Sequence, residues 1–97
     1  MIRHTVVFKL KYSAGSPEES EFLNAAAKLS SIRGVHRFEC LRQTSKNNGF
    51  EYGISMEFDA IKAYEDYNQH PDHLDFVKTF WMSDVADFLE IDFEPLS

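Results

Sequence analysis

The stretch Tyr67-Asn68-Gln69-His70-Pro71-Asp72-His73 decides how the second half of the chain folds. A proline keeps the residue before it out of helical angles, yet its own fixed φ suits the first position of a new helix. The heptad therefore predicts one helix ending near Tyr67 and another opening at Pro71. The break can bring a phenol and two imidazoles together from two segments. Phenol and imidazole can form an acid–base pair.

Upstream of the heptad, Phe50, Tyr52, Ile54, Met56 and Phe58 alternate with Glu51, Gly53, Ser55 and Glu57. A period of two predicts a strand over 50–58 with one buried face. Asp59 is placed to cap a helix over 60–69, whose inner side carries Ile61, Tyr64 and Tyr67. Downstream, a helical segment runs from Pro71 to about Met82 with Leu74, Val77, Phe80 and Trp81. Val85 to Phe93 closes the chain as a strand with apolar Val85, Leu89, Ile91 and Phe93, and Pro95 ends it.

The first half repeats this order. Residues 2–11 alternate, with Ile2, His4, Val6, Phe8 and Leu10 on one face. Ser16-Pro17-Glu18-Glu19 reads as a helix start, with Ser at N-cap, Pro at N1 and Glu at N3. That helix runs to about Ile32, presents Phe22, Ala26 and Leu29, and stops at Gly34. Val35 to Gln43 is a second strand whose apolar residues change parity, which a bulge explains. Ser45 to Gly49 is turn chemistry.

Strand, helix, strand, strand, helix, strand predicts an α+β, ferredoxin-like βαββαβ domain over residues 1–97. It has one antiparallel four-stranded sheet with helices on a single face. The other face carries Thr5, Val7, Gly53 and Ser55, too apolar for a finished surface. A second copy would cover it, so a homodimer is expected.

Composition narrows the function classes. With 43% hydrophobic residues and nine Phe, the chain has the material for a modest core. Its formal charge is -6, with no Lys/Arg cluster, which argues against nucleic-acid partners and anionic membranes. No apolar run approaches the roughly 20 residues of a membrane span, and the N-terminus does not read as a signal peptide. Cys40 is the only cysteine, so no internal disulfide forms. It reads as a small core residue, and its isolation suits a cytoplasmic location.

Three residues carry the candidate chemistry. His4 lies on an apolar face and needs a partner or a ligand; Tyr52, Tyr67 and His73 are the available partners. His73 falls near N3 of the segment opened by Pro71, where the helix end favours neutral imidazole while Asp72 and Asp75 favour imidazolium. The sign of its shift is open. With Tyr67 bonded to His73, the phenol can donate to a carbonyl or enolate oxygen while His73 removes an α-proton. In the other reading, His73 caps or packs at the break and Tyr67 satisfies a buried bond. His70 and His73 with Asp72 and Asp75 fall short of a converging ligand set, so no metal is expected.

The opening Ile2-Arg-His4-Thr-Val-Val-Phe8-Lys-Leu-Lys11, the turn Ile32-Arg-Gly34-Val35, Met56-Glu-Phe58-Asp59, the heptad, and the ending Phe88-Leu-Glu-Ile-Asp92-Phe93-Glu together resemble the stress-responsive dimeric α/β-barrel domain family. The resemblance implies that two copies pair their sheets into a barrel. One enzymatic branch of that family, a plant polyketide cyclase, closes a ring by aldol-type chemistry without a cofactor. Its Tyr–His pair falls on Tyr67 and His73, and its strand-one histidine on His4. Tyr52 stands where that branch has a further pocket histidine. The resemblance thus implies a homodimer that binds a small apolar or carbonyl-containing molecule between sheet and helices. His73, Tyr67 and His4 would be catalytic, Tyr52, His70 and Trp81 would contact the ligand, and no cofactor would be used. The alternative is a non-catalytic structural or stress-associated dimer.

Overall fold

A computed structural model describes all 97 residues. Strand β1 (Ile2–Leu10) leads to helix α1 (Pro17–Ala27), which tightens into a 3-10 turn at Lys28–Ser31. Strands β2 (His36–Arg42) and β3 (Tyr52–Phe58) follow, then helices α2 (Ile61–Gln69) and α3 (Pro71–Phe76). The chain continues through a π-helical turn at Val77–Trp81 and a last helical turn at Met82–Asp84 into β4 (Val85–Phe93). The strands form one sheet in the order β2-β3-β1-β4, antiparallel throughout. This is the ferredoxin-like arrangement that the element order predicts.

Alternation in β1 and β3 places Val6, Phe8, Leu10, Tyr52, Ile54, Met56 and Phe58 in the core, where Phe22, Ala26 and Leu29 of the first helical segment and Tyr64, Tyr67 and Phe76 from α2 and α3 cover them. Ser16 caps α1 by accepting from the Glu19 amide, but Glu19 reaches back to the Gly15 amide, one residue beyond the usual capping box. Ile61, expected inside, is exposed, and so is Leu74. Asp59 does not cap α2: Ala60 holds the N-cap position without a side-chain bond, and Asp59 faces His36 at 3.5 Å. Cys40, expected in the core, is exposed on edge strand β2, which the helices leave largely uncovered. The expected bulge lies between His36 and Glu39, with Arg37 at φ 50°.

Strand β4 has the opposite polarity to the other strands. The register pairs Phe8 with Phe88, Val6 with Glu90 and His4 with Asp92, so those β4 residues face the helices. Leu89, Ile91 and Phe93 pair with Val7, Thr5 and Arg3 on the far side of the sheet, and all three are exposed. Glu90 and Asp92 thus point toward the helices, while Leu89, Ile91 and Phe93 point away from them. The molecule is a slab of 38 × 32 × 18 Å. It exposes 6500 Å², about 800 Å² more than the ~5,700 Å² typical of a compact monomer of its mass. No helix is long and apolar enough to cross a membrane.

Candidate functional site

Pro71 organises the site through the hydrogen bonds it cannot make. Lacking an N–H, it leaves the Tyr67 carbonyl to the His70 amide (3.1 Å). His70, extended at ψ 135°, then caps α3 as Nδ1 accepts from the Asp72 amide at 3.0 Å. With that amide engaged, the Asn68 carbonyl of α2 is free, and His73 Nδ1 donates to it at 3.1 Å. The bond fixes the tautomer: Nδ1 carries hydrogen and the Nε2 lone pair has no partner within the chain. Burial is the main force lowering the His73 pKa from its ordinary 6.5, so the ring is neutral near pH 7. The helix end and the two nearby aspartates are not what settle the sign.

Tyr67 lies against His73 with ring centroids 4.5 Å apart, but the two do not hydrogen-bond. The Tyr67 hydroxyl has no partner in the chain, and it is not sealed from solvent. Burial, then the charge of Glu90, push its pKa up, so it stays protonated and able to donate.

His4 finds partners that sequence reasoning missed. Its Nδ1 donates to Asp92 Oδ1 at 2.6 Å, with the Tyr64 hydroxyl 2.9 Å away, and Tyr64 donates to Asp92 Oδ2 at 2.8 Å. Asp92 thus takes a proton donor on each oxygen and leaves His4 Nε2 unpaired. Burial and the Asp92 bond raise the Tyr64 pKa, which keeps that phenol a donor. The available signals were the polar parity of Glu90 and Asp92 in β4, and the position of Tyr64 one helical turn before Tyr67.

These groups meet at a cavity of about 290 Å³ between sheet and helices. His4, Tyr67 and His73 contribute its polar end with Asn68 and Glu90, and Val6, Leu29, Ile54, Met56, Phe76, Val77, Trp81 and Phe88 supply apolar wall. Exposed Phe88 and Glu90 mark its mouth at edge strand β4. Of the expected ligand contacts, Trp81 lines the cavity. Tyr52 and His70 do not. The Tyr52 hydroxyl is held by Glu19 at the start of α1, while the His70 ring is committed to its capping bond. No three His, Cys, Asp or Glu side chains converge in a way that could hold a metal ion.

Residues 2–95 match the family model of the Stress responsive A/B Barrel Domain, and the chain belongs to that family. A dabb family protein from Mesorhizobium loti, solved as a crystal structure with a ferredoxin-like fold, is 54% identical. It superposes with a TM-score of 0.97, over 99% of this chain and 97% of that one. Olivetolic acid cyclase from Cannabis sativa is 24% identical over 87 residues, 82% of this chain and 86% of the cyclase. Two more distant structures share the fold alone. Hydroxynitrile lyase from Passiflora edulis is 14% identical, with a TM-score of 0.84 over 99% and 94% of the two chains. A dimeric ferredoxin-like protein from Thermobifida fusca is 18% identical, with a TM-score of 0.78 over 97% and 90%.

Proposed function

We propose that the protein is a homodimer whose cavity binds a small carbonyl compound and performs cofactor-free acid–base chemistry on it, in the manner of a cyclase or lyase. The observation that carries this reading is the set of three unpaired polar atoms, His73 Nε2, Tyr67 Oη and His4 Nε2, at one end of an otherwise apolar cavity. None of the three is sealed from solvent, so each is open to a molecule that enters the cavity. Here the fold satisfies the back of each imidazole and leaves the front free.

In this reading the substrate carbonyl oxygen accepts from the Tyr67 hydroxyl. His73 Nε2 removes a proton from the adjacent carbon. The electron pair of the broken C–H bond becomes the C=C of an enol or enolate, whose oxygen charge Tyr67 stabilises. The carbon can then attack a second carbonyl or be reprotonated by His73. A phenol held in its protonated form and an imidazole held neutral suit these two roles. The resemblance to a named cyclase supports the choice of reaction class.

The competing reading, a structural dimer without a substrate, draws on the His4–Asp92–Tyr64 network, which is complete without any ligand. Solvent-deuterium exchange into the α-position of aryl ketones and β-keto compounds separates the two. Catalysed exchange is expected, falling about 10²–10⁴-fold in His73→Ala and about 10²-fold or more in Tyr67→Phe, with little change in melting temperature. No exchange in the native protein, together with a marked loss of stability in His73→Ala, would favour the structural dimer.

A further inference from the structure

The polar end of the cavity contains a carboxylate that the proposed reaction does not use. Glu90 lines the cavity from β4, opposite Val6 in the register, on the helix-facing side of the sheet. Its carboxylate makes no hydrogen bond or ion pair within the chain, and no Lys or Arg lines the cavity to offset it. Its charge reaches Tyr64, Tyr67 and His73. We propose that Glu90 selects the ligand by charge, so that the cavity takes an uncharged, ring-sized carbonyl compound and turns away carboxylates and phosphates. This rests on the cavity being a ligand site as argued above, and it names the class of molecule admitted.

An anion entering between apolar walls gives up its hydration, and it meets neither a cation nor a free helix end to replace that water. It also meets the like charge of Glu90 at the cavity mouth, with no cation beside it. An uncharged carbonyl compound meets neither obstacle, and Tyr67 and His4 supply partners for its oxygen. The volume of about 290 Å³ lies just under the ~300–1,000 Å³ of small-molecule sites, which suits a single substituted ring. The chain's formal charge of -6 acts in the same direction at longer range.

The test uses the isosteric probes 4-acetylbenzamide and 4-acetylbenzoate, titrated into the whole protein by calorimetry. Trp81, the chain's only tryptophan and part of the cavity wall, provides a fluorescence check on where they bind. The amide is expected to bind at least about tenfold more tightly than the carboxylate, a difference of about 1.4 kcal/mol. Glu90→Gln should bring the two to within about twofold, mainly by improving the carboxylate. Glu90 is exposed and unbonded, so this variant should keep the native melting temperature. Equal binding of the probes by the native protein, or discrimination unchanged in Glu90→Gln, overturns charge selection while leaving the ligand site in place. Binding of neither probe overturns the ligand site itself and this proposal with it.

Discussion

His73 owes its free Nε2 to Pro71, two residues before it. Without that proline the Asp72 amide would take the Asn68 carbonyl, and Nδ1 would lose the acceptor that fixes its tautomer. The lowered pKa has a consequence for stability. Below the unfolded value of 6.5, the unfolded chain binds a proton that the folded ring resists, so the unfolded state gains. The His73 contribution is therefore complete above pH 6.5 and is lost as pH falls through the folded value. Urea midpoints measured from about pH 7.5 down to about pH 5 should fall further in the native protein than in His73→Gln; identical slopes would show that His73 titrates normally. Asp92 offers a second test at this scale. Asp92→Ala leaves the His4 Nδ1–H and the Tyr64 hydroxyl without their acceptor. The expected loss is about 1–3 kcal/mol, or several degrees of melting temperature, and Asp92→Asn should recover part of it. A neutral result for Asp92→Ala would mean that water replaces the carboxylate at no cost.

Strand β2 carries its strain at one residue. Arg37 has φ 50° in the bulge, a left-handed conformation that costs a non-glycine residue about 1–2 kcal/mol. Its guanidinium is largely exposed and only 3.8 Å from Glu57, so the side chain returns little. Arg37→Gly should leave stability unchanged or raise it by up to about 1 kcal/mol, whereas Arg37→Val should lower it by a similar amount. Chemical denaturation reads both, and a stable Arg37→Val would place the bulge elsewhere. The bulge is also a case of what sequence can reveal. The parity change in Val35–Gln43 announced it, just as strict alternation announced β1 and β3 and the His70-Pro71 pair announced the helix break. Partners distant in sequence left no such mark. His4 meets Asp92 across 88 residues and Tyr64 across 60, contacts set by strand order and register. Tyr52 was misplaced for the same reason, since only the folded chain brings Glu19 to its hydroxyl.

At the scale of the whole molecule, the apolar side of β4 bears on assembly. Exposed Leu89, Ile91 and Phe93, with Val7 beside them and Leu41 exposed on β2, make the outer face of the sheet apolar. The excess surface of about 800 Å² over a compact monomer matches one side of a standard protein–protein interface, which is also about 800 Å². A four-stranded sheet cannot close on itself, so a second sheet is what would turn this half-shell into the barrel of the family's description. Ile91→Lys places a charge within that face, and its outward position leaves the inner core untouched. The native protein should sediment as a dimer and the variant as a monomer, whose melting temperature should lack the concentration dependence of a coupled dimer. The cavity lies on the opposite, helix-covered side of the sheet, away from the apolar face. Binding of 4-acetylbenzamide should therefore survive in a folded monomer to within a few-fold. A monomer that folds but no longer binds would show that the partner shapes the cavity through the shared sheet. A variant that remains a dimer would place the interface on another surface.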